Sequence, residues 1–136
     1  MAFAADVIVC AREEGEWQVL LIRRKNPPYQ GAWAIPGGFV EAEERVEETA
    51  ERELEEETGV KAAKLKLLGV YSDPLRDPRG RTVSAVYYEI MEKKDVKVRA
   101  GSDAREAGWH SLKNPPPLAF DHAQILTDLL QELSKL

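Results

Sequence analysis

Arg45-Val46-Glu47-Glu48-Thr49-Ala50-Glu51-Arg52-Glu53-Leu54-Glu55-Glu56-Glu57-Thr58-Gly59 is the stretch whose reading decides the fold. Every residue over 45–58 is a tolerable helix former, and Val46, Ala50 and Leu54 recur at i, i+4 and i+8, so the spacing predicts a helix with one apolar seam. Acid in its first turn suits the helix dipole, and Gly59 supplies the stop. Residues 41–57 hold ten Glu and two Arg, a net charge of −8, whereas the whole chain carries −5. The acid is therefore concentrated here, and the remainder is slightly basic. At 100° per residue, Glu53, Glu56 and Glu57 span roughly 100° of helix surface, so their carboxylates point one way. Like charges at these spacings oppose an isolated helix by some tenths of a kcal/mol per pair. A solvated acidic face is the usual fate of such a block; a hard divalent cation is the alternative that offsets the repulsion.

Outward from this helix, the chain reads as one domain over 1–136. Its 136 residues, 43% hydrophobic and 32% charged, are of a size to enclose one core. Residues 7–11 and 17–23 read as strands around a Glu-Glu-Gly turn, 26–31 as a loop, and 33–35 as a strand stub ended by Pro36-Gly37-Gly38. Strands are expected over 64–71, 82–91, 96–99 and 107–111, with a polar loop at 72–81. A closing amphipathic helix is expected over 120–136. This order predicts an α/β (α+β) fold, a mixed central sheet sandwiched between helices. The longest apolar runs are too short to span a bilayer, and Met1–Ala5 lacks the pattern of a signal peptide. No diffuse basic stripe suggests a nucleic-acid partner. Cys10 stands alone in an apolar run and reads as a buried, inert thiol. A cytoplasmic protein with neither membrane nor nucleic-acid partner is the expectation.

Gly38, five residues, Glu44, seven residues, then Arg52-Glu53-Leu54-Glu55-Glu56-Glu57-Thr58-Gly59-Val60 resembles the Nudix box at every fixed position. A chance match is on the order of one in a million. Trp33-Ala34-Ile35-Pro36-Gly37-Gly38-Phe39-Val40-Glu41 is similar to that family's entry loop, and the resemblance covers residues 3–135. It implies a Nudix fold and hydrolysis of a nucleoside diphosphate linked to another moiety. Position by position it implies Mg2+, with Mn2+ as a substitute, held by Glu53, Glu56, Glu57 and the carbonyl of Gly37. Glu44 and Arg52 would orient the carboxylates. The base that takes the proton of water stays open between Glu53, Glu56 and Glu106. Asp103 is a second, weaker candidate near Glu106 for an additional metal-binding or basic carboxylate.

Residues 71–84 look like the corresponding loop of ADP-ribose pyrophosphatases, with Pro74 in the place those enzymes often use, and 118–123 resembles the same branch. Arg76, Arg79 and Arg81 supply cationic forks for phosphate or ribose hydroxyls, and Arg23 and Arg24 a second clamp; pairing with the acidic helix is the competing reading. Phe39, Trp33, Tyr29 and Phe120 are candidates for stacking on adenine, core packing being the ordinary alternative. His110 and His122 are singletons, read as packed or capping residues. Hydrolysis of ADP-ribose to AMP and ribose 5-phosphate is the expected activity. Diadenosine polyphosphates or (d)NTPs are alternative substrates, and a non-enzymatic nucleotide sensor is the alternative class. Against the sensor stand the intact box and a chain ending at its closing helix. The resemblance also implies a homodimer.

Overall fold

The computed structural model describes residues 1–101 and 104–136. Strands β1 (Ala2–Glu13) and β2 (Glu16–Arg24) form a hairpin whose turn carries Glu14 and Gly15 at φ 52° and 81°. They pair only near that turn, from Cys10 opposite Val19 to Glu13 opposite Glu16. Beyond it they part, and two short strands fill the wedge. β3 (Trp33–Ala34) pairs with Ile22 and Arg23 of β2, while β4 (Gly37–Phe39) pairs with Ala4–Asp6 of β1. The Val7 N–H donates to the Pro36 carbonyl at 2.9 Å, closing the apex of the wedge.

After the helix α1 (Val46–Thr58), β5 (Lys66–Tyr71) pairs antiparallel with β6 (Thr82–Ile90), which runs parallel beside β1. β7 (Ala104–Ser111) lies on the other edge of β2, and α2 (His122–Leu133) closes the chain. The sheet is mixed and seven-stranded. Side chains alternate across it because strand residues have a period of two. Val7, Val9 and Leu20 pack against Ala50 and Leu54 of α1; Ile8, Cys10, Val19 and Leu21 pack against Ile125, Leu126 and Leu129 of α2. The predicted helix–sheet–helix layering is the observed one.

Several boundaries differ from the sequence expectation. β1 begins five residues before 7, because Ala2–Asp6 pairs with β4 and β6 and needs no apolar run of its own. Gly37–Phe39 is a strand where a turn was expected. Residues 96–99 form no strand: they cross the end of α1, where the Arg99 N–H donates to Thr58 O and that of Gly101 to Glu57 O. The C-terminal helix starts at His122, since Phe120 takes φ 51°, outside the helical region. Gly59 ends α1 at φ 77°, as expected. Among the described residues no helix is long and apolar enough to cross a membrane.

Leu54 is fully buried between α1 and the sheet. Leu54→Ala should lower the unfolding free energy by about 2–5 kcal/mol in a denaturant titration. A change below about 1 kcal/mol would mean the helix is not docked on this seam.

Candidate active site

The Glu-rich helix is organised by one guanidinium. Arg52 donates from Nε to Glu44 Oε2 at 2.6 Å and from Nη2 to Glu44 Oε1 at 3.0 Å, a bidentate pair. Its Nη1 reaches Glu53 at 2.8 Å and Glu56 at 3.2 Å, and Glu41 lies 3.6 Å from Nη2. Glu44 also accepts from the Thr49 hydroxyl and the Glu41 N–H. The hydrogen bonds from Arg52, foremost, pull the Glu44 carboxyl down to about 2, and Arg52 is held in its charged form. Glu57 accepts from the Gly37 N–H at 2.8 Å, tying α1 to β4. A Cβ at Gly38 would come within 2.5 Å of the Glu53 carboxyl carbon, so glycine is what lets the helix carboxylate lie against that strand.

Glu53 and Glu57 open onto a cavity of about 370 Å³ in the wedge between β1 and β2. Its far wall is cationic and aromatic. The guanidinium of Arg24 lies 5.1 Å from the centre of the Phe120 ring, and that of Arg79 lies 5.4 Å from it and 5.0 Å from Phe39. Arg79 is aimed by a two-point pair with Asp77, and Arg24 donates from Nε to Pro28 O. Burial, then repulsion from Arg79, lowers the Arg24 pKa, so two like charges face one space. An anion between them would relieve that repulsion.

The cavity floor contains two groups absent from the sequence-based site. Asp6, on β1, is pushed up to about 7 by burial, with Arg76 opposing and Asp121 and Glu53 adding to the rise. His122 is held neutral, lowered to about 4 by burial, and its Nδ1 accepts the Ile35 N–H at 3.0 Å. His122 is thus the packed histidine expected. Asp6 carried a faint sequence signal, a lone acid in the apolar run around Ala5 and Val7.

The predicted residues separate in space. Glu53, Glu57, Gly37, Arg24, Arg76, Arg79 and Phe39 all border the cavity. Glu56 faces a neighbouring groove with Arg52 and Arg99. Glu106 stands outside the cavity lining and pairs with Arg23 at 3.0 Å. Asp103 lies outside the described residues. Arg76 borders the cavity but is committed to the protein: it makes two 2.8 Å bonds to Asp121 and one of 2.7 Å to Ser84. Arg81 is exposed and away from the cavity; its carbonyl holds the Ala2 N–H. Among the described residues no three carboxylate or imidazole groups form a ready-made metal cage. The donor chemistry nevertheless suits a hard cation, since Glu41, Glu44, Glu53 and Glu56 crowd one guanidinium while Glu57 adjoins.

A NUDIX domain model matches residues 2–129, and the chain belongs to the NUDIX family, as a pyrophosphatase of that kind. The chain is 47% identical over 130 residues to an ADP-ribose pyrophosphatase of Methanocaldococcus jannaschii, covering 96% of this chain and 73% of that one. It is 31% identical to an ADPR responsive transcriptional repressor of Acinetobacter baylyi, of which it spans 53%. Among solved structures, the NUDIX domain of Shewanella oneidensis NrtR complexed with ADP ribose superposes with a TM-score of 0.90 at 28% identity. That match covers 98% of this chain and 88% of the other.

Arg76→Ala should cost about 3–5 kcal/mol in chemical denaturation, because it strands a partly buried Asp121, whereas Arg81→Ala should change stability by less than about 0.5 kcal/mol. Equal effects would contradict the different burial of the two.

Asp6 and His122 act oppositely on the pH profile. The folded pKa of Asp6 lies above its ordinary 3.8, so its contribution is present below about 3.8 and lost as pH rises through about 7. The folded pKa of His122 lies below 6.5, so its contribution is present above about 6.5 and lost as pH falls toward about 4. Asp6→Asn removes the opposing trend and should steepen the loss of stability from pH 7 to 4. Parallel curves for wild type and variant would refute the assignment.

Proposed function

We propose that this protein hydrolyses the pyrophosphate bond of a nucleoside diphosphate-linked compound, with ADP-ribose as substrate and AMP and ribose 5-phosphate as products. The observation that carries the reading is a single cavity with helix carboxylates on one side and the guanidiniums of Arg24 and Arg79 on the other. A diphosphate is long enough and anionic enough to meet both, through the arginines directly and through a cation at the carboxylates. The relative of the same activity at 47% identity supports the substrate.

Glu53, Glu56 and Glu57, with the Gly37 backbone, would hold Mg2+, which supplies charge neutralisation of the diphosphate and a lowered pKa for water. The chain's own residues do the rest. Arg52 fixes Glu53 and Glu56 in rotamer, so little reorganisation accompanies binding. Glu53 is the base favoured by position: it borders the cavity, whereas Glu56 faces the outer groove and Glu106 stands outside the cavity lining. It accepts the proton as a water oxygen bonds to phosphorus and the bridging P–O bond breaks, the electron pair leaving with the departing phosphate. Arg24 and Arg79 hold the phosphates against the Phe120 wall.

Glu57→Gln should lower kcat by at least about a hundredfold at saturating Mg2+ while retaining the folded spectrum. Near-normal kcat would sink the site assignment. In the same assays on ADP-ribose, ATP and a diadenosine polyphosphate, ADP-ribose should give the highest kcat/KM. Arg24→Ala should weaken it on every substrate, and Arg81→Ala should leave it within about threefold. A clear win for ATP or the dinucleotide would remove ADP-ribose but keep the hydrolytic chemistry.

A further inference from the structure

Asp6 is 7% exposed, lies on the central strand, and borders the cavity. Among the described residues its carboxyl has no hydrogen-bond or ion-pair partner, although it is surrounded by groups that could have provided one. Arg76 is turned to Asp121 and Ser84. Ser84, on the same face of the neighbouring strand, accepts from Arg76. The other charges that act on Asp6, those of Glu53 and Asp121, are of like sign. Among the described residues no fully enclosed polar side-chain atom is left unpaired, so the Asp6 oxygens reach the cavity; holding a carboxyl largely out of solvent with no protein partner still works against folding. The strand opposite has made room for it, since a Cβ on Gly37 would fall 1.7 Å from Asp6 Oδ1. A group that opposes stability, given space by a glycine and opening onto a ligand cavity, answers to something that is not part of the fold.

We propose that Asp6 is a specificity-determining residue that accepts a hydrogen bond from a neutral donor on the substrate, at the floor of the cavity below the diphosphate. The inference rests on the cavity being the nucleotide site and goes further by assigning polarity along it. Phosphate oxygens are acceptors and anionic, so Asp6 in its ionised form, beside Glu53 and Asp121, turns them away, toward Arg24 and Arg79. What remains to meet Asp6 is a neutral part of the substrate that carries N–H or O–H groups. Three parts of a nucleoside diphosphate sugar have that chemistry: the hydroxyls of the terminal ribose, those of the nucleoside ribose, and the exocyclic amine of the base.

The test compares wild type, Asp6→Asn and Asp6→Ala on four substrates: ADP-ribose, the analogue lacking a hydroxyl of the terminal ribose, the analogue lacking a hydroxyl of the nucleoside ribose, and the hypoxanthine analogue lacking the amine. Wild type should disfavour one of the three analogues by roughly tenfold to a hundredfold in kcat/KM, and which one identifies the group read. Asp6→Ala should bring that ratio to within about threefold, and Asp6→Asn, which keeps one acceptor oxygen, should lie between. Melting temperatures of both variants should equal or exceed that of wild type at pH 7. Ratios unchanged by the substitutions, or a wild type that treats all four substrates alike, would overturn the proposal. So would variants that melt lower with discrimination intact, which marks a structural role. If wild type does not cleave ADP-ribose, the substrate reading has failed separately. The same ratios are then taken on its preferred nucleotide and that compound's deoxy and deamino analogues.

Discussion

The arrangement depends on keeping several carboxylates together without tearing the helix that bears them. Glu41, Glu44, Glu53 and Glu56 all lie within 4 Å of the one Arg52 guanidinium. Half-exposed pairs of this kind are individually weak. Arg52 matters because it is shared: its planar fork fixes Glu44 at two points and still presents Nη1 to the next turn of helix. Remove it and four acids confront one another over a few ångströms. The apolar seam beneath, Ala50 and Leu54 against Val7 and Val9, holds the helix in place while that repulsion is contained.

The second requirement is space beside those acids, and the sheet provides it by failing to zip. Because β1 and β2 separate after four paired residues, two short strands fit between them, of which β4 brings Gly37 and Gly38 to the helix carboxylates, and an opening is left behind. The opening is lined by residues from distant parts of the chain, which is why anionic and cationic walls can face each other across it. Adjacent residues on one helix could not be kept so cleanly apart.

Much of this was legible beforehand, and what was not has a physical reason. The helix, its stop at Gly59 and the layering follow from periodicities of 3.6 and 2 that burial enforces locally. The Glu and Arg spacing of the box named the acidic side of the site. The cationic side was harder: Arg76, Arg79 and Arg81 look equivalent in sequence, yet one is buried on Asp121, one is aimed by Asp77, and one faces water. Which partner an arginine takes is settled by tertiary placement, and no local pattern encodes it. Asp6 was hidden for a related reason, since it is pairing with β4 and β6 that places this lone acid of an apolar run on the cavity. Residues 96–99 have strand composition, but their backbone is used to satisfy carbonyls at the end of α1.

The Arg76–Asp121 pair has a consequence for how the recognition surface could change over time. It fastens the loop carrying Asp77 and Arg79 to the first turn of α2, the same corner that presents Phe120. Loop and helix corner are therefore one inherited unit. A substitution that reshapes the loop is transmitted to the aromatic wall, while α1, fastened separately through Gly37, stays as it was. Variation can accumulate on the cationic and aromatic part of the cavity without disturbing the part that carries the helix carboxylates, and a descendant with a reshaped loop would be expected to alter 76 and 121 together.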